Sequence, residues 1–236
     1  MLEIIELNPN SKQYPKKLKN IQHPPKKLYC IGNLDLLNSN TIAIIGSRNC
    51  SIYGEKVAKD FSEKLSFNNI TVISGLAKGI DTFAHIGTLK NNAKTIAVLG
   101  SGLDNIYPNE NIGLYKSIIL KGGLIISEYE LGTKPLKQNF PARNRIISGL
   151  ADAVLVIEAK QKSGTKITVD FALEQGKDVF VIPGNIYSKN SEGTNELIKQ
   201  GAIPVTNYEE ILEMLRYKDI GVSPSGKASD SDSDIS

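Results

Sequence analysis

TIAIIGSRNCSIYG, residues Thr41 to Gly54, decides the fold. Five β-favouring or apolar residues run without polar alternation into a Gly46-Ser47-Arg48 turn, and a polar, helix-forming segment follows Gly54. A run of that length and composition is the pattern of a strand buried on both faces, as in a parallel sheet. The turn then lies at the carboxyl end of the strand, the edge at which open α/β sheets bind ligands. Amides of a glycine-rich turn that leads to a helix N-terminus suit a phosphate, and Arg48 adds a planar cation beside them.

The same alternation continues outward from this stretch. Apolar runs at 41–46, 71–74, 95–100, 123–127, 153–158, 178–183 and 202–205 predict strands. Between them, 53–67, 81–91, 109–121, 141–150, 164–175, 193–200 and 208–215 carry helical periodicity. Strand-helix alternation implies right-handed crossovers, hence a doubly wound α/β architecture with a mostly parallel sheet covered on both faces. Residues 1–40 precede it as a basic arm with six lysines (Lys12, Lys16, Lys17, Lys19, Lys26, Lys27) and no acid between them. Pro15, Pro24 and Pro25 forbid one long helix, so the arm is expected as a short helix and an extended segment, packed on the core by Leu18, Ile21, Leu28 and Tyr29. Its lysines form either a solvated surface or a flank that helps hold a polyanion. The α/β domain is expected over 41–218, and the Ser/Asp tail at 219–236 is too polar to offset its ordering entropy and is expected to be disordered.

With 236 residues, 40% apolar and 22% charged, the chain has the composition of one soluble α/β domain with short appendages. No apolar stretch approaches the ~18 residues of a membrane span, and MLEIIELNPN is not a signal sequence, so the expected address is cytoplasmic and no membrane is involved. The net charge of +3 does not announce a nucleic-acid binder, although the acidic tail conceals a more basic body. Cys30 and Cys50 have no metal-ligand spacing and read as reduced structural thiols.

Several strand exits carry glycine and serine: Gly46-Ser47-Arg48, the Ser74 to Gly79 turn with Gly75 and Lys78, Gly100-Ser101-Gly102, and Ser163-Gly164-Thr165. Each is a weak signal alone, but together they line one sheet edge with amides and hydroxyls. Asp81 reads as an N-cap of the helix after Gly79. The second unusual stretch is Asn139-Phe140-Pro141-Ala142-Arg143-Asn144-Arg145. Pro141 suits a first helical turn, and Ile146, Ile147 and Leu150 form an apolar face, so Arg143 and Arg145 cannot both point inward. One could pair with Glu128 or Glu130, and a free one would bind phosphate bidentately. Phe140 is either a core plug or a platform on which a base stacks.

An enzyme finds few parts here. His23 and His85 have no evident nucleophile or metal partners, and no Gly-x-Ser-x-Gly elbow, Walker loop or His-Glu-x-x-His helix occurs. Gly46 is followed by Gly54, not by a Gly-x-Gly-x-x-Gly series, which argues against a bound NAD. No catalytic residue, metal ligand or cofactor is assigned.

Taken together, YPKKLKNIQHPPKKLYCIGN, IAIIGSRNCSIYG, ISGLAKGIDTFAH, AVLGSGLDNIYPNEN, FPARNRIISGLADAVLVIEA with the following SGT turn, and EGTNELIKQGA resemble the DprA (Smf) family of DNA-processing proteins. The resemblance spans roughly 14–212 in the family's order, with FPARNRIISGLADAVLVIEA its most specific piece. It implies an extended Rossmann-like fold that binds single-stranded DNA without catalysis, protects incoming strands in natural transformation, forms a homodimer and helps load the RecA recombinase. It places Arg48, Lys78, Phe140, Arg143, Asn144 and Arg145 at or beside one groove. Leu197, Ile198 and Ile203 are candidates for the dimer contact or the core. The helical and winged-helix domains that flank this region in many members are not expected in this stretch, so functions assigned to them are not carried over. Phosphates about 6 Å apart need a row of contacts, which amide-bearing turns interspersed with Arg48, Lys78 and Arg143 could supply.

Two other readings compete. Phosphoribohydrolases of similar fold use a Pro-Gly-Gly-x-Gly-Thr-x-x-Glu loop, but here Thr168 stands where the catalytic acid belongs, three residues after Thr165. A sensor of a small nucleotide would prefer a free nucleotide to a long strand.

Overall fold

All of the apolar runs join one nine-stranded sheet in a computed structural model, which describes residues 3–220. The strands are β1 (Ile5–Leu7), β2 (Leu28–Gly32), β3 (Thr41–Ile45), β4 (Thr71–Ser74), β5 (Thr95–Leu99), β6 (Leu124–Ser127), β7 (Ala153–Val156), β8 (Asp178–Val181) and β9 (Ile203–Pro204). Their order is β1-β2-β6-β5-β4-β3-β7-β8-β9. From β6 to β9 every neighbouring pair is parallel, and β2 and β1 add antiparallel strands at the β6 edge. The helices are α1 (Lys16–Lys19), α2 (Ile52–Phe67), α3 (Ile80–Lys90), α4 (Ile112–Leu120), α5 (Asn139–Leu150), α6 (Gly164–Glu174), α7 (Glu192–Lys199) and α8 (Tyr208–Ile220).

The central strands bury both faces because their side chains alternate between two apolar layers. Ile42 and Ile44 of β3 pack with Ala58, Phe61 and Leu65 of α2 and with Ile211 and Leu212 of α8. Ala43 and Ile45 face the other way, against Leu18 of α1, Ile146 and Leu150 of α5 and Val169 of α6. The expected doubly wound α/β layering is therefore present.

The basic arm departs from a merely packed segment. Leu18, Ile21, Leu28 and Tyr29 are buried as expected. Leu28–Gly32, however, pairs with β6 and Ile5–Leu7 pairs with it in turn, so the arm supplies two strands of the sheet. Pro24 and Pro25 exclude helix just upstream, and the Leu-Tyr-Cys-Ile run that follows is β-favouring. Lys17 is bonded to Asp152 at 2.7 Å and Lys27 to Glu6 at 3.1 Å, which leaves the arm less free charge than its lysine count suggests. The tail expected over 219–236 lies, from 221 onward, outside the described residues.

The winding creates the site. The chain moves from β3 outward through β4 and β5 to β6, then returns to place β7 on the other side of β3. The strand order reverses between β3 and β7, and ligands of open α/β sheets bind at the carboxyl ends beside such a reversal.

Candidate nucleic-acid interface

The turns leaving β3, β4 and β5 lie against one another. Ile80 donates its amide to Ser47 O at 3.2 Å, joining the 46–48 turn to the start of α3. Gly79 adopts φ 75°, and a Cβ there would overlap Ser47 O and crowd the Arg48 carbonyl. Only glycine fits both the conformation and the close approach. On the next strand end, the Phe140 ring rests over Gly100, where an added Cβ would stand 2.9 Å from Cδ1.

These contacts present four side chains along the edge. The exposed Arg48 guanidinium lies 5.6 Å from the centroid of Phe140, within cation–π range. The Tyr107 ring faces Phe140 at 5.6 Å and 46°. Lys78 is exposed and bonded to Glu110 at 2.7 Å, a hydrogen bond that raises the lysine's pKa. Phe140 is thus half-buried: its inner side plugs the Gly100 turn and its surroundings are aromatic and cationic. Two cations and two ring faces in a row can hold phosphates and stack bases.

Other expected site residues are placed differently. Arg143, expected as a possible phosphate clamp, is 3% exposed, and its Nη1 donates to Gly75 O at 2.8 Å and to Val98 O. The reason is helical spacing: Asn139, Arg143, Ile146, Ile147 and Leu150 form the buried stripe of α5. Arg145 is engaged bidentately by Glu128, at 2.6 Å to each carboxylate oxygen, and donates to His23 O at 2.9 Å. Its charge is spent on holding the arm, which was the salt-bridge alternative for this pair. Asn139 is buried, Asn144 half-exposed, and Gly75 is buried with its amide donated to Asp81 at 3.1 Å. Gly46 stands where a Cβ would meet Ile80 and Glu158 O, and Ser47 donates its amide to Glu158 O at 2.8 Å. In the turn after β7, Gly164 is exposed, Ser163 is half-buried and Thr165 is buried. Leu197 belongs to the core, with Ile198 and Ile203 partly buried.

The model of the DNA recombination-mediator protein A family matches residues 6–216. The chain belongs to that family. Protein Smf of Escherichia coli K12 is 47% identical over 208 residues, which is 88% of this chain and 56% of that protein. This chain therefore spans little more than half of the Smf protein's length. The crystal structure of DNA processing protein A from Streptococcus pneumoniae superimposes with a TM-score of 0.85 at 45% identity, covering 89% of this chain and 74% of that one. A DNA processing protein A structure from Helicobacter pylori, described for its single-stranded DNA binding mode, gives 0.82 at 34% identity, covering 92% and 97%.

Beneath this family member's edge lies a buried polar frame that sequence reasoning only partly foresaw. Asp81 sits in the first turn of α3 and accepts from the amides of Gly75 and Ala77; the N-cap position itself is Gly79. Gly75 is held between this carboxylate and the Arg143 guanidinium, and a Cβ there would meet both. Burial raises the Asp81 pKa, an effect that Arg143 opposes, and burial pushes the Arg143 guanidinium down to about 10. Desolvation dominates on both partners, as it does for charges taken fully out of water.

Glu158 is the residue whose role the sequence concealed. It was expected to end a strand, but its 3%-exposed carboxylate accepts from Ser51 N at 2.9 Å, Ser51 Oγ at 2.5 Å and Asn190 Nδ2 at 3.3 Å. A carboxylate of the chain itself thus fills the N-terminus of α2, where a dinucleotide fold holds its pyrophosphate. Gly54 is required for it, since a Cβ there would stand 2.5 Å from Glu158 Oε2. The 41–54 stretch therefore leaves Arg48 exposed and keeps its helix N-terminus occupied.

His85 is fully buried, as a structural histidine. Thr95 Oγ1 donates to Val72 O at 2.6 Å, so it accepts from His85 Nδ1–H at 2.9 Å, and Nε2 has no hydrogen-bond partner among the described residues. Burial and the Arg143 charge lower its pKa to about 3. The unfolded chain binds a proton near pH 6.5 that the native state refuses, so stability is full above pH 6.5 and falls as pH drops towards 3. His85→Gln is expected to flatten this dependence. Relative to the variant, the wild type should lose about 2–3 kcal/mol between pH 7 and about pH 4.5, read by urea denaturation. Asp81, with its raised pKa, acts in the opposite sense in both proteins and cancels in the comparison.

Proposed function

We propose that this chain binds single-stranded DNA, without sequence preference and without catalysing a reaction on it, along the carboxyl edge of β5, β4 and β3. The observation that carries the reading is the exposed Arg48 guanidinium lying 5.6 Å from the Phe140 ring, with Tyr107 and Lys78 beside it. Phosphates of a strand lie against Arg48 and Lys78, and a base stacks in the Phe140–Tyr107 cleft. The Ser163-Gly164-Thr165 turn supplies amides beyond β7. Arg143, Asn139 and Gly75 support the edge from inside and do not touch the strand.

Membership of the family and the likeness to the H. pylori protein support this assignment. By the same kinship the chain acts in the cytoplasm in DNA uptake and recombination, protects single strands, and helps load RecA onto them. It works as a homodimer, for which the exposed Leu173 and the partly buried Ile203, beside the cleft between α6, α7 and β9, are the candidate contact. No helix among the described residues is long and apolar enough to cross a membrane.

The filled N-terminus of α2 favours a strand over a mononucleotide. Affinity should rise with the length of an oligothymidine series, and free nucleotides at millimolar concentration should not compete. Competition by a mononucleotide, with no gain from length, would restore the sensor reading; release of free base from a nucleoside monophosphate would restore the phosphoribohydrolase. A further prediction concerns Glu110, which neutralises Lys78 in the unbound protein. Glu110→Gln should tighten binding roughly two- to fivefold at low salt, and less at high salt, where exposed charges are screened.

A further inference from the structure

We infer that the single-strand path continues past Arg48 onto the loops after β7 and β8, with Tyr187 as a second stacking platform and Lys160, Lys162 and Lys189 as backbone contacts; this rests on the reading proposed above. The 184–191 loop is internally held. Gly184 and Asn195 exchange two hydrogen bonds, at 3.1 and 3.0 Å, and Ser188 and Ser191 donate their amides to Asn185 O and Ser188 O at 2.9 Å. Yet this ordered loop turns Ile186 and Tyr187 outward, 77% and 91% exposed. A ring displayed by such a hydrogen-bonded loop beside the edge presents a π-face on which a base can stack.

The loop is joined to the Arg48 turn. Asn190 donates through Nδ2 to Asn49 O at 3.1 Å and accepts from the amide of Ala159 at 2.8 Å, and Gly193 donates to Ala159 O at 2.8 Å. The turns after β3, β7 and β8 are thereby one hydrogen-bonded unit, with Glu158 at its centre. Tyr53, in the first turn of α2, adds another exposed ring, 53% accessible.

Charge decides the occupant. Lys160, Lys162 and Lys189 are exposed, and none forms an ion pair with a carboxylate among the described residues. Cations interleaved with exposed rings suit a polyanion with stacking bases better than an apolar protein surface. The geometry is continuous as well: β5, β4, β3, β7 and β8 are successive neighbours, so the edge from Phe140 to Tyr187 crosses four strand spacings, roughly 19 Å. At about 6 Å per phosphate, a strand of about two nucleotides stays in the first half, and about four or more are needed to reach Tyr187.

The test uses the full chain and labelled oligothymidines of about two and about fifteen nucleotides, read by fluorescence anisotropy. Tyr187→Ala should weaken the long oligomer roughly 5- to 100-fold and leave the short one unchanged, while Tyr187→Phe, which keeps the ring, restores affinity. Replacing Lys160, Lys162 and Lys189 together by Ala should lower the salt slope for the long oligomer by about 2. If Tyr187→Ala binds the long oligomer as wild type does, the extension is wrong. It is equally wrong if that variant changes only the sedimentation of the protein, which would make the loop a protein contact. Failure of the underlying reading looks different: Arg48→Ala would then bind both lengths as tightly as wild type.

Discussion

Arg143→Ala is expected to destabilise the protein by about 3–5 kcal/mol, in urea denaturation near pH 7, while a surface change such as Lys116→Ala does not. Arg143 is buried and donates to the carbonyls of Gly75 and Val98, at the ends of β4 and β5. Its removal strands both carbonyls and leaves the buried Asp81 carboxylate without the cation that offsets its desolvation. The loss should exceed that of truncating a simple core side chain, because an uncompensated charge remains. Adding Asp81→Asn to Arg143→Ala should return part of the stability, so the two changes are not additive. Arg143→Lys is a poor substitute, since an ammonium lacks the planar fork that reaches two carbonyls. A cost below about 1 kcal/mol would mean that the guanidinium is not the keystone of these turns.

The second large effect is functional. Phe140→Ala should weaken single-stranded DNA binding by about 1–3 kcal/mol, roughly 5- to 150-fold, to a similar degree for every base composition. The ring gives a base a π-face and also supports the Arg48 guanidinium, 5.6 Å away, so both the stack and the cation's position are lost. Because the ring also rests on Gly100, some stability is lost too. Phe140→Leu separates the two roles: an aliphatic side chain fills space over Gly100 but cannot stack, so it should keep most of the stability and little of the affinity. Phe140→Trp should keep the affinity. Equal binding by Phe140→Leu and wild type would make the ring a plug alone.

Much of this was legible in residue patterns, for physical reasons that also mark where legibility stops. Thr41–Ile45 and its parallel neighbours announce themselves because burial on both faces makes their interiors near-continuous apolar runs, with Thr or Ser only at strand ends. The arm's β2 was harder to see, because five residues with Pro-Pro-Lys-Lys before them carry no periodicity that separates an edge strand from an extended segment. Inward placement of Arg143 was readable in principle from its spacing to Ile146, Ile147 and Leu150; a charge on an apolar stripe was the signal. The bonds of Glu158 to Ser51 and Asn190 were not, since they join residues 107 and 32 positions apart and only the sheet order brings them together. Tyr107 was missed for the same reason, coming to Phe140 from the loop after β5.

The central claim is that Arg48 clamps the backbone of a single strand at this edge. The most direct measurement titrates a fluorescent oligothymidine against wild type and Arg48→Ala across a range of salt concentrations. Wild-type affinity should fall linearly with log salt, and Arg48→Ala should bind more weakly, with a slope shallower by about one contact, roughly 0.7. No salt-dependent binding by the wild type, or an Arg48→Ala variant that matches it in affinity and slope, would contradict the account.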